Sequence, residues 1–175
     1  IGNLVDDPNK EWCYLKKSTT VIGMPFNPQV TEVTYDGSLY TGYAELCFHY
    51  GKNDTPILIR QKTFKDGWIP VVGDCWKEGN IQYQIEMFAA PLNDSDVSNC
   101  INFVKITMSN TGKEKATGYF NISTRGKVDD YRLAELKNFS EDNLYEIQNG
   151  KVNKDNKMLF TFSDGFNRIE AIEGI

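Results

Sequence analysis

Histidine is nearly absent from this chain: one imidazole, His49, serves all 175 residues. A His-rich metal site is therefore excluded. A Ser-His-Asp constellation lacks support as well, because no G-x-S-x-G nucleophile elbow is present. The sole histidine reads instead as a strand-face residue with a local hydrogen bond. Cysteine is sparse and scattered. Cys13, Cys47, Cys75 and Cys100 form no C-x-x-C pair, which argues against zinc and against a redox motif. Two disulfides in any of three pairings would suit an oxidising compartment, but isolated cysteines in apolar strands are expected to be small buried hydrophobes. No glycine-rich phosphate loop, internal repeat or low-complexity tract occurs, and nothing calls for a cofactor. A run of about eighteen apolar residues is missing too, so no membrane-spanning helix is expected. The net charge of -5 argues against nucleic acid or an anionic membrane as the main partner, since both select basic surfaces.

What the chain does contain is alternation. Ile81, Tyr83, Ile85 and Met87 interleave with Gln82, Gln84 and Glu86, the period-2 pattern of a half-buried strand. A Pro/Asn/Asp/Ser loop is expected next, then an apolar, β-branched strand over Ile101–Ser109. Its apolar phase shifts between Phe103 and Val104, which implies either a β-bulge or burial of both faces. Asn110-Thr111-Gly112-Lys113 reads as a tight connection into a strand over Thr117–Ser123. Upstream, strands are expected at Ser18–Ile22, Val30–Tyr35, Leu39–Tyr50, Ile57–Lys62 and Ile69–Val72. Asp36-Gly37 and Asp66-Gly67 supply turns. In the Leu39–Tyr50 strand, Ala44, Leu46, Phe48 and Tyr50 share one face, and Tyr43, Glu45, Cys47 and His49 the other. Downstream, Asn149-Gly150 joins Leu144–Gln148 to Lys151–Asn153, and Met158–Phe162 closes the series. The one expected helix is short, Asp129–Lys137. Strands at short intervals, separated by turn signals, predict an all-β, antiparallel β-sandwich, and the length suits a single domain over residues 1–175. The chain opens on Ile1 with neither Met nor a signal peptide, and Phe160–Gly165 reads as a strand running into a turn. We therefore expect a piece of a longer multidomain protein.

Trp76, Gly79, Phe88-Ala89-Ala90-Pro91-Leu92, Asn102-Phe103-Val104-Lys105 and Asn110-Thr111-Gly112 occur in an order that resembles the N-terminal β-sandwich, or supersandwich, of large bacterial glycoside-hydrolase-like proteins. The resemblance covers roughly a quarter of the chain and rests on packing and turn residues, so it bears on fold more than on activity. It implies a secreted bacterial protein, extracellular or periplasmic. In such proteins the sandwich packs on an (α/α)6 toroid that carries the catalytic carboxylates. None of the family's catalytic motifs has a counterpart here, so no catalytic residue is assigned to this chain.

The strongest candidates for function are aromatic: Trp12, Tyr35, Tyr40, Tyr43, Trp68, Trp76 and Tyr83. Sugar rings present C–H patches that stack on indole and phenol faces, while neighbouring polar groups satisfy hydroxyls. We assign carbohydrate binding to Trp68, Trp76, Asp74 and Tyr83. The competing reading places these rings in the sandwich core or against a following domain. Carboxylates are plentiful, with Asp66, Asp74, Glu78 and Glu86 around the two tryptophans, but a glycosidase needs two carboxyls about 5–10 Å apart across a cleft. Asp66 has an ordinary turn role, and Asp129-Asp130 an ordinary helix-capping one. Oxygen ligands cluster at Asn93-Asp94-Ser95-Asp96 without an EF-hand's Gly and terminal Glu, and no metal ligand is assigned. Asn53, Asn93, Asn121 and Asn138 head N-x-S/T triplets, which chance produces in a chain rich in Asn, Ser and Thr. Three functions follow: a non-catalytic sandwich that packs on a catalytic domain and borders its glycan cleft, an independent carbohydrate-binding module, or a glycosidase with its own carboxylate pair.

Overall fold

Alternating β-branched and aromatic residues between turn formers yield an all-β, antiparallel protein in this computed structural model. It describes residues 20–25, 27–28, 30–34, 37–41, 45–57, 63–93, 96–125, 146–154 and 157–163. The chain divides into two compact units, Ile1–Arg125 and Gly126–Ile175. The described strands of the first are β1 (Thr20–Gly23), β2 (Val30–Val33), β3 (Leu39–Tyr40), β4 (Glu45–Tyr50), β5 (Thr55–Pro56), β6 (Thr63–Lys65), β7 (Ile69–Glu78), β8 (Ile81–Asn93), β9 (Asp96–Asn110) and β10 (Phe120–Arg125).

They form two sheets, one in the order β1-β2-β3-β4-β10 and one in the order β6-β7-β8-β9. In the first sheet, β3 and β5 share one edge of β4, with Leu39 opposite Leu46 and Pro56 opposite His49, while β10 takes the other edge. The inner faces of the two sheets meet. Ile22, Val33, Leu39, Leu46 and Phe48 come from one side, and Val72, Ile81, Tyr83, Ile85 and Met87 from the other, all buried. Period-2 alternation sends each of these side chains to the same face, so burial of the apolar set holds the layers together. Polar ties cross between the layers: Asn102 donates to the Thr31 hydroxyl at 2.7 Å, and the Asn27 amide to the Ser98 carbonyl at 3.0 Å.

Turn chemistry matches the residues. Asp66 and Gly67 have φ of 52° and 80°, and Asn149 and Gly150 have 50° and 75°. Two successive left-handed residues are what a type I′ hairpin needs, and Asp-Gly and Asn-Gly adopt them at least cost. The second unit carries one described sheet, β11 (Glu146–Gln148), β12 (Lys151–Lys154) and β13 (Lys157–Thr161), in the order β11-β12-β13. Val152 is buried.

Three expectations need correction. The segment after Phe88 is not a loop. β8 continues through Pro91 to Asn93, and β9 begins at Asp96, well before Ile101. β7 starts at Ile69, so the end of β8 has a free side on which a proline without an N–H is tolerated; the register also breaks between Pro91 and Asn93. Second, neither a bulge nor double burial explains the Ile101–Ser109 pattern. Pairing is unbroken from Ala90↔Ile101 to Ile81↔Asn110, and Ile101 and Phe103 stand on the outer face, 40% and 42% exposed. Third, Asn110–Lys113 does not lead tightly into the next strand. Asn110 Oδ1 accepts from the Gly112 N–H at 2.9 Å and the Thr111 N–H donates to the Asn80 carbonyl at 2.8 Å. These bonds turn the chain away from the ladder, and the following segment passes to the other sheet, where β10 starts only at Phe120. The expected helix Asp129–Lys137, together with Tyr43 and Ala44, lies outside the described residues.

Candidate functional site

β7 carries two of the four residues expected to bind sugar, Asp74 and Trp76, with Trp68 just before it and Tyr83 on β8, yet the fold does not gather them into one platform. Trp68 ends the β6–β7 turn, where its N–H donates to the Lys65 carbonyl at 3.2 Å. The left-handed Asp66-Gly67 pair leaves its indole 78% exposed. Trp76 lies near the other end of the strand, roughly 25 Å away at about 3.3 Å per residue, and on the inner face. There Trp76 is opposite Tyr83 in the ladder. Their rings stack with centroids 5.5 Å apart and planes within 2°.

Tyr50, from the end of β4 in the facing sheet, completes this cluster. It meets Trp76 edge-on at 5.4 Å and Tyr83 at 5.5 Å. Sequence reasoning missed it because its partners lie in another sheet. Tyr83 is fully buried. Its hydroxyl makes two long contacts, donating to Glu78 Oε2 at 3.5 Å and accepting from the Tyr119 N–H at 3.4 Å. The Trp76 indole N–H is buried without an acceptor. The arrangement closes one end of the sandwich by ring packing.

Asp74 projects from the same inner face, between Val72 and Trp76 on its strand and opposite Ile85. Burial raises its pKa from 3.8 to about 6, against the lowering effect of the Cys75 backbone N–H, which donates to Asp74 Oδ1 at 2.8 Å. A folded-state value above the unfolded one favours the protonated form. The resulting stability is complete below pH 3.8 and is lost as pH rises through about 6. We expect Asp74→Asn to flatten this dependence. Thermal melts at pH 4 and 7.5 should differ less in the variant than in the wild type, by on the order of 1 kcal/mol once partial exposure is counted. Equal pH dependence in both proteins would refute the assignment.

The other carboxylates are differently occupied. Asp66 is an exposed turn residue with φ of 52°. Glu86 pairs with Lys105 at 3.3 Å across the outer face. Glu78 shares the inner face with Asp74 but stands four residues along the strand, roughly 13 Å away at the backbone, wider than the separation glycoside hydrolysis uses. Among the described residues, no group of three or more His, Cys, Asp or Glu is placed to hold a metal ion.

His49 is committed locally: Nδ1 to the Asp54 carbonyl at 3.1 Å and Nε2 to the Ser123 hydroxyl at 2.9 Å. Cys75 and Cys100 are free thiols, and Cys47 is buried in β4. Only Cys47 fits the expectation of burial. Cys75 is exposed because it falls on the outer phase of β7, where Gln82 donates to its sulfur at 3.3 Å. The first sheet also holds an unforeseen row on its outer face, Glu32 opposite Tyr40 and Tyr40 opposite Glu45, all three buried.

Several apolar side chains reach solvent at the Trp68 end of the second sheet. Trp68, Leu92 (60%), Phe103 and Ile101 are exposed there, and Phe88 stacks on Phe103 at 5.2 Å. No family model, curated protein or solved structure matches this chain.

Proposed function

We propose that this chain is a non-catalytic β-sandwich of a secreted, glycoside-hydrolase-like bacterial protein, packing on its catalytic domain and bordering the glycan cleft. The observation that carries the reading is the exposure of Trp68, 78%, beside exposed Leu92 at the same end of the sheet. Large apolar side chains held in water suit a partner domain or a sugar ring. The resemblance of the Trp76–Gly112 segment supplies the carbohydrate context. Docking is tested in the parent protein: Trp68→Lys with Leu92→Lys should split one cooperative melt into two transitions. An unchanged single melt would overturn it.

The exposure of Trp68 also favours a second reading, an independent carbohydrate-binding module. A glycan array and affinity electrophoresis separate the two. For a module, Trp68→Ala lowers retention at least tenfold, about 1.4 kcal/mol, while stability stays within about 0.5 kcal/mol because the side chain packs on little. Trp76→Ala should lower the melting temperature instead. A wild-type chain retarded by no glycan eliminates the module and leaves the docking domain.

A further inference from the structure

The longest of the described strands is also an edge. β9 runs 15 residues, Asp96–Asn110, and pairs with β8 alone among the described strands. A sheet edge offers a row of backbone donors and acceptors, and proteins that stay monomeric blunt it with prolines, bulges or free lysines. β9 contains no proline or glycine, and from Ile101 to Asn110 its pairing with β8 is unbroken. Its one lysine, Lys105, is drawn back across the sheet by Glu86. The strand is apolar on both faces near its centre. Outward, Phe103 is 42% and Ile101 40% exposed. Inward, Val104 and Ile106 are only half-buried, and Met108 is 47% exposed, so the facing sheet leaves a strip of β9 uncovered.

From this geometry we infer that β9 pairs antiparallel with β9 of a second copy of the chain, joining two four-stranded sheets into one continuous sheet across a two-fold axis. Phe103 is the midpoint of Asp96–Asn110, so the register of greatest overlap sets Phe103 opposite its own symmetry mate. The neighbouring rungs then match Asn102 with Val104, Ile101 with Lys105 and Cys100 with Ile106, and no like charges face one another. The Phe88–Phe103 stack continues across the axis as a row of four rings. The uncovered inner strip is buried against its counterpart. This surface uses no residue of the Trp68 turn and requires no carbohydrate.

The test uses the intact chain. Light scattering after gel filtration, at tens of micromolar, should give twice the chain mass. Phe103→Lys, which sets two ammonium groups face to face at the axis, should give a monomer with an unchanged circular dichroism spectrum. A second pair of variants does not depend on that substitution folding. With Cys13, Cys75 and Cys100 replaced by Ser, Phe103→Cys should form a disulfide-linked dimer on mild oxidation, because directly opposed antiparallel residues sit about 4.5–5.5 Å apart at Cα, within disulfide reach. Thr107→Cys in the same background should not, since its two copies stand roughly 27 Å apart at about 3.4 Å per residue. A monomeric wild type, a dimer that survives Phe103→Lys, or equal cross-linking of both cysteine variants would overturn the inference.

Discussion

Tyr83→Ala should cost about 3–5 kcal/mol, the range for emptying a buried aromatic site, and lower the melting temperature by roughly 10–15 °C for a protein of this size. The argument rests on position. Tyr83 is fully buried, and its ring is the one that Trp76 stacks on and Tyr50 leans against. Removing it leaves a void bounded by Trp76 and Tyr50, rings held on two different sheets, and filling it would require the paired sheets to shift. Tyr83→Phe keeps the ring and loses only the hydroxyl. Its contacts at 3.4 and 3.5 Å are longer than good hydrogen bonds, so the cost should be about 1 kcal/mol or less. Thermal or urea unfolding of the two variants measures the gap. If Phe cost as much as Ala, the hydroxyl rather than the ring would hold the cluster.

The parts of this fold legible in the sequence are those fixed by neighbours along the chain. Ile81, Tyr83, Ile85 and Met87 announce their common face by alternation, and all four are buried there. Asp66-Gly67 and Asn149-Gly150 announce their turns because left-handed backbone is cheap for Asp, Asn and Gly, and both pairs adopt it. His49 likewise finds one partner close along the chain, the Asp54 carbonyl, while the other, the Ser123 hydroxyl, comes from distant β10.

What stayed hidden depends on strands distant in sequence. Pro91, Asn93 and Ser98 look like loop residues. They lie in strands because β8 and β9 pair over a long register that no local pattern encodes. Ile101 and Phe103 look like core, yet they face outward, since phase follows pairing with β8 rather than hydrophobicity. The candidate site divides the same way. Trp68 and Trp76 are close in sequence and both aromatic, but strand extension places them at opposite ends of β7. Tyr50 joins Trp76 and Tyr83 only because the two sheets pack. Alternation along β4 puts Glu45 and Leu46 on different faces, but the complete burial of Glu45 is a tertiary fact.

Gly51→Ala should destabilise the first unit by about 2 kcal/mol, for two separable reasons. Gly51 opens the turn from β4 to β5 with φ of 73°, a conformation that costs an L-residue about 1 kcal/mol. In addition, a Cβ there would fall 2.3 Å from Glu78 Oε1 and 2.5 Å from Oε2, so the carboxylate must swing away from the Tyr83 hydroxyl. The backbone cannot shift freely, because the Gly51 N–H donates to the Tyr119 carbonyl at 3.1 Å and that residue also contacts Tyr83. Glu78→Ala removes the obstruction but not the strain. In a double-mutant cycle by urea unfolding, Gly51→Ala should therefore cost about 1 kcal/mol less in the Glu78→Ala background than alone. Full rescue would show that the left-handed backbone carries no cost. No rescue would mean that the Glu78 carboxylate does not rest over Gly51, and the aromatic end of the sandwich would then close without it.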